Sequence, residues 1–108
     1  MKKILLLLPL LLIGLIQAND YLLVDVRTDG EWDAGHLQSA THIPMQNLLD
    51  GIASTATNKE QEIYLYCGTG KRAGRAKSML ENLGYTNVQN IGGLNDASAQ
   101  LKRSIIQD

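Results

Sequence analysis

What most narrows the fold of this chain is a regular alternation of short apolar runs with stretches patterned for helix. Tyr21-Leu22-Leu23-Val24-Asp25-Val26 is nearly continuous apolar sequence, as expected of a strand covered on both faces. Thr28-Asp29-Gly30-Glu31 carries turn and helix-start residues, which predicts a short helix over 31–36. Ala40-Thr41-His42-Ile43 reads as a second strand, stopped by Pro44, and apolar residues at 45, 48, 49 and 52 then share one helical face. After a polar stretch over 53–61, residues 62–66 read as the third strand. Ala73, Ala76, Leu80 and Leu83 follow on one helical stripe, with Gly84 as its stop. A fourth strand over 87–91 ends at Gly92-Gly93, and a last helix is predicted over 94–105. Such alternation implies parallel pairing. The expected fold is α/β, with a central, mainly parallel sheet of about four to five strands and helices on both faces.

In sheets of this kind ligands bind at the carboxyl ends of the strands. Four features follow strands here: Asp25-Val26-Arg27, Ile43-Pro44, the segment starting at Cys67, and Gly92-Gly93. The third is the richest in chemistry. Ile63-Tyr64-Leu65-Tyr66 leads into Cys67-Gly68-Thr69-Gly70-Lys71-Arg72, and a helix follows. A glycine-rich turn closed by a helix start can aim several backbone N–H groups at one atom and adds positive potential. Both effects favour a thiolate, which is the nucleophile. Gly68 and Gly70 leave the sulfur approachable, and Lys71 and Arg72 can hold an incoming oxyanion. Cysteine phosphatases use a similar cradle with the pattern Cys-x5-Arg, which would require arginine at position 73, occupied here by Ala73. Cys67 to Arg72 is Cys-x4-Arg. The shorter ring suits one transferable sulfur better than a phosphoryl group.

The first residues are set apart from the fold. Met1-Lys2-Lys3 is a positive head, residues 4–16 are almost all Leu and Ile, and Ile16-Gln17-Ala18 offers a small residue for cleavage. That is the layout of a secretory signal peptide over 1–18, leaving a domain over 19–108. The apolar run is shorter than the roughly 18–20 residues of a spanning helix, so an uncleaved anchor is the weaker alternative. Without Lys2 and Lys3, eight basic residues face eleven acidic ones, which argues against a nucleic-acid partner. Lys71, Arg72, Arg75 and Lys77 nonetheless cluster within seven positions, and such a patch suits a small anion or is simply a solvated helix face. With one cysteine, the exported chain can form no internal disulfide, so Cys67 does not staple the fold.

The loop, together with Leu23-Val24-Asp25-Val26-Arg27, Glu31-Trp32, Gly35-His36-Leu37, Ala40, Ile43-Pro44 and Gly92-Gly93-Leu94, resembles the rhodanese domain family over nearly all of the mature chain. Within it, the chain is most similar to single-domain periplasmic thiosulfate sulfurtransferases of the phage-shock type. The resemblance implies a periplasmic enzyme in which Cys67 takes the outer sulfur of thiosulfate as a persulfide and passes it to a thiophilic acceptor such as cyanide. It implies substrate binding by Gly68, Thr69, Gly70, Lys71 and Arg72, and no metal or organic cofactor. A monomer is expected, with no stable membrane association after cleavage. Two features depart from the family: Gly68 stands where many members carry arginine, and the extra strand and helix before the Asp25 strand are missing. A persulfide carrier loaded by another protein, or a phosphatase or arsenate-reductase-like enzyme, is the alternative function.

Other residues are expected to be structural. Asp25 and Arg27 support the loop as scaffold, or form an ion pair with Glu31 or Asp29. His36 and His42 are packing or turn residues, since a thiolate pathway needs no general base. Trp32 is expected to pack on the sheet, and Gly92-Gly93 to allow close backbone approach. No Cys/His cluster has metal-ligand spacing.

Overall fold

Four parallel strands in the order β3-β1-β4-β5 form the main sheet of this protein. They are β1 (Tyr21–Asp25), β3 (Thr41–His42), β4 (Glu62–Cys67) and β5 (Val88–Gly93). The structure, a computed structural model, describes residues 21–108, so the leader expected over 1–18 lies outside the described residues. The chain runs from β1 outward to β3, then crosses back over β1 to β4. Strand order therefore reverses between β1 and β4, and the crevice at their carboxyl ends is where a sheet of this type offers a site. Asp25 ends β1 and Cys67 ends β4.

Two cores cover the two faces, and the period-2 alternation of the strands sorts residues between them. Ile63, Leu65 and Cys67 of β4 join Val24, Val26 and Ile43 in one core. That core is closed by α2 (Leu48–Thr55), entered through a 3-10 turn over Met45–Asn47, and by α3 (Lys71–Asn82). Leu48 and Ile52 come from α2; Ala73, Ala76 and Leu80 come from α3. The opposite face packs Leu23, Tyr66 and Ile91 against Leu37 and Ala97, the latter from α4 (Leu94–Leu101). Helices lie on both faces, as the alternation implied.

Four elements differ from the sequence reading. The short helix is α1 (Asp29–Ala34), because Thr28 caps it. The Thr28 hydroxyl accepts the Glu31 N–H at 3.2 Å, and the Glu31 carboxylate accepts the Thr28 N–H at 3.0 Å, a reciprocal capping box. Gly35 ends the helix at φ 149°, which releases His36 into a strand. That strand, β2 (His36–Leu37), pairs antiparallel with β6 (Ile105–Ile106) in a second, two-stranded sheet that was not expected. The last helix accordingly stops at Leu101, not 105. Lys102 turns left-handed at φ 55°, and the β-branched pair Ile105-Ile106 supplies the backbone partners β2 needs.

Candidate active site

Cys67 reaches its position by strand alternation. It is the third inward side chain of β4 after Ile63 and Leu65, and it is fully buried under α3. The chain then turns sharply. Gly70 adopts φ 102°, a left-handed conformation open to glycine, and α3 begins at the next residue. The turn folds the backbone back on the sulfur: the Gly70 N–H donates to Cys67 Sγ at 2.9 Å and the Ala73 N–H at 3.4 Å.

Burial by itself pushes the Cys67 thiol up. The backbone N–H groups of Ala73, Gly70, Thr69 and Arg72 together outweigh it, and the net result is a pKa below the ordinary thiol value. The start of a 12-residue helix adds its positive end to the same point. These donors favour the thiolate form, which is the nucleophilic one, and they suit any anionic sulfur bonded to it.

Neighbouring elements hold the turn in shape. The Asn90 side chain donates to the Gly70 carbonyl oxygen at 2.9 Å and accepts the Gly92 N–H at 2.9 Å, tying β5 to the loop. A Cβ at Gly93 would collide with the Gly68 carbonyl, so this position requires glycine. The expected close approach at Gly92-Gly93 is therefore present at Gly93, while Gly92 supplies a positive φ of 95°. Asn90 has no signature in the sequence, because its role depends on β5 lying beside β4.

The two loop cations have different fates. Lys71 is exposed and makes no ion pair among the described residues. Arg72 is engaged: its guanidinium donates to both carboxylate oxygens of Glu31, at 2.7 and 2.9 Å. The Arg72 hydrogen bonds, working against a smaller burial effect, hold the Glu31 carboxyl at about 2, below its usual 4.5. The Arg72 expected to hold an oxyanion beside Lys71 is thus paired with Glu31. Gly68 and Thr69 are exposed at the mouth of the turn. Of the other basic residues, Lys77 pairs with Glu81 on the helix surface at 3.1 Å and Arg75 is exposed.

Asp25 and Arg27 form a buried pair with each other and not with Asp29 or Glu31, which corrects the alternative named for them. Arg27 Nη2 and Nε donate to the Asp25 carboxylate at 2.8 and 3.0 Å, and Nη2 also reaches the Gly35 carbonyl at 2.6 Å. The Arg27 guanidinium lies 5.6 Å from the Tyr66 ring centre. Burial pushes the Tyr66 phenol well above its ordinary value, and its oxygen accepts the Leu37 N–H at 3.0 Å. This network lies on the sheet face opposite Cys67 and links β1, β2 and β4 beneath the loop. It is scaffold.

Trp32 packs on strand residues: it stacks on His36 of β2 at 3.5 Å and on His42 of β3 at 4.7 Å between ring centres. His36 also meets the Leu37 carbonyl and the Asp108 carboxylate, and His42 donates to the Arg27 carbonyl at 2.8 Å. Neither histidine has a contact to Cys67. Among the described residues no group of three or more His, Cys, Asp or Glu side chains is arranged to hold a metal ion. No helix among them is long and apolar enough to cross a membrane.

A family model described as a rhodanese-like domain matches residues 9–100 of the chain. The thiosulfate sulfurtransferase PspE of Escherichia coli K12 is 37% identical over 73 residues, 68% of this chain and 70% of PspE. A solved structure described as a rhodanese with anions from E. coli superposes with a TM-score of 0.74 at 31% identity, covering 82% of this chain and 99% of that one. The tRNA uridine(34) hydroxylase of Photorhabdus laumondii is 30% identical over 78 residues. That match takes in 68% of this chain but only 22% of the hydroxylase.

Proposed function

The chain belongs to the rhodanese-like domain family, and we propose that it is an exported thiosulfate sulfurtransferase working through a Cys67 persulfide. The observation that carries this reading is the fully buried Cys67 sulfur, met by the N–H groups of Gly70 and Ala73 inside a six-residue turn.

The Cys67 thiolate attacks the outer sulfur of thiosulfate. A bond forms between Cys67 Sγ and that sulfur, the S–S bond of thiosulfate breaks, and sulfite leaves with the electron pair. The product is a Cys67 persulfide, whose anionic outer sulfur the loop N–H groups and the α3 N-terminus stabilise. A thiophilic acceptor such as cyanide then attacks the outer sulfur, the persulfide bond breaks, and thiocyanate leaves as the thiolate is regenerated. This is covalent catalysis in two half-reactions. Gly68 and Thr69 border the entrance, Gly70 presents its N–H to the sulfur, and Lys71 draws in the sulfonate end of the donor. Arg72 contributes through its position in the turn. Asp25 and Arg27 keep β1 and β2 in place under the loop. The protein acts as a monomer without metal or cofactor, in the periplasm, after cleavage following Ala18.

A second reading is a persulfide carrier loaded by another protein. One observation favours it: Arg72 is already paired with Glu31, which leaves Lys71 as the loop cation without an ion pair among the described residues. The phosphatase or arsenate-reductase-like reading has the Cys-x4-Arg ring against it.

Intact-mass measurement of the mature protein after exposure to thiosulfate tests the proposal. The wild type is expected to gain one sulfur atom that cyanide removes as thiocyanate, and Cys67→Ser to gain none. Loading only from a persulfide donor would select the carrier. Absence of both mass gain and thiocyanate would refute the enzyme.

A further inference from the structure

We infer that Glu31 is a specificity-determining residue of this site, which holds down the affinity of the catalytic loop for anionic donors by neutralising Arg72. The inference rests on the sulfurtransferase reading for its substrate but not for its charge effect.

The pair is placed to act on the entrance. A Cβ at position 68 would lie 3.0 Å from Arg72 Nη2 and 3.5 Å from Glu31 Oε2, so the two side chains border the residue that follows the nucleophile. The departure at Gly68 thus has a structural counterpart: a side chain there would crowd the ion pair. The geometry is bidentate, which makes this the stronger kind of charged hydrogen bond.

Glu31 is also fixed from behind. Its Oε1 accepts the Thr28 N–H at 3.0 Å and the Thr28 hydroxyl at 3.1 Å, so the capping box of α1 anchors the carboxylate that meets Arg72. It is not free to swing away when an anion arrives. The Arg72 charge is raised in stability first by the Glu31 hydrogen bonds, and it also feels the Cys67 thiolate. Arg72 is therefore close enough to influence the sulfur, and Glu31 cancels that influence.

A donor dianion approaching Cys67 meets one net positive charge from Lys71, where an unpaired Arg72 would make two. Both partners are partly exposed, with side-chain accessibilities of 29% for Arg72 and 37% for Glu31, so solvent screens the difference without abolishing it.

Glu31→Gln tests this directly, because the amide oxygen still accepts from Thr28 and Arg72 while the charge is gone. The KM for thiosulfate should fall roughly fivefold at low ionic strength, with the gap closing as salt is added. The rate of Cys67 alkylation by iodoacetate relative to iodoacetamide should rise by a similar factor. Thr28→Ala removes the hydroxyl contacts of the capping box but keeps the charge and the backbone N–H that holds Glu31 Oε1, so it should lower stability while leaving both readouts close to wild type. The double variant Glu31→Gln with Arg72→Gln restores the wild-type net charge and should return both readouts towards wild type. It also decides the matter if Glu31→Gln alone fails to fold. An unchanged or raised KM with an unchanged alkylation ratio in Glu31→Gln would overturn the inference, as would a strongly raised KM in the double variant, which would show Arg72 gripping the anion itself. If the wild type turns over no thiosulfate, the sulfurtransferase reading fails and the alkylation ratio still decides the role of Glu31.

Discussion

Gly93 on β5 lies against the backbone of Gly68, so close that a Cβ at position 93 would meet the Gly68 carbonyl carbon and oxygen. Cys67 and Gly93 are register partners across β4 and β5, with a shift in the ladder between Leu65 and Cys67. The strand therefore bends where the nucleophile leaves it, and glycine at 93 makes room for the turn. Gly93→Ala should force the loop backbone outward. Overpacking of this kind costs about 1–3 kcal/mol, because backbone cannot rotate away as a side chain can. Denaturant titration should show that loss, and the sulfur-transfer rate should fall by more than stability alone explains. Wild-type activity in Gly93→Ala would contradict this account of the turn.

Asn90 holds Gly70 in the conformation that points its N–H at the sulfur. Removing the side chain in Asn90→Ala deletes two hydrogen bonds, each worth about 1 kcal/mol net at most at this exposed position. The larger effect is expected on the thiol. With Gly70 less firmly held, the pKa of Cys67 should move back up towards that of a free cysteine. Thiolate absorbance measured against pH reads this shift separately from folding. In the wild type the same titration should place the thiolate below the ordinary thiol range, so the alkylation rate reaches its plateau at lower pH than for a free thiol.

Lys71 is the unpaired cation of the loop among the described residues. Lys71→Ala is expected to raise the KM for thiosulfate roughly fivefold while changing turnover less, since an exposed charge near the entrance acts on approach more than on bond breaking. A large loss of turnover with unchanged KM would move Lys71 from binding to chemistry.

Acid should weaken the fold through Glu31. Its carboxyl titrates at about 2 in the folded protein against 4.5 ordinarily, so the unfolded chain binds the proton more readily. The Arg72 pair therefore contributes its full stability above about pH 4.5 and loses it progressively as pH falls towards 2. Denaturation midpoints followed over this window should fall less steeply in Glu31→Gln than in wild type. Parallel curves for the two proteins would mean that the pair does not stabilise the fold.

The parallel sheet, its helices on both faces and the cysteine-bearing turn were all legible in the sequence. β1 and β4 announce themselves as apolar runs, and α3 by the stripe of Ala73, Ala76 and Leu80. The β2–β6 pair was not legible, because two-residue strands carry no periodicity and each exists only through the other. That Asp25 and Arg27 pair with each other, and not with Glu31 or Asp29, was not legible in the sequence. Two residues apart at a strand end, both side chains fall on one face, and the guanidinium folds back onto its neighbour.

For the site, the sequence by itself determined the position of the cysteine, the length of the ring around it and the helix that closes it. Those features follow from conformational preferences set within a few residues of Cys67. Only the tertiary structure decided what surrounds the ring. Glu31 lies 41 positions before Arg72, and Asn90 lies 20 after Gly70. Their contacts exist because crossing back over β1 brings α1, β4 and β5 to one end of the sheet. Whether a charge in the loop is free or already paired depends on which distant element arrives beside it. Local propensity carries no record of that.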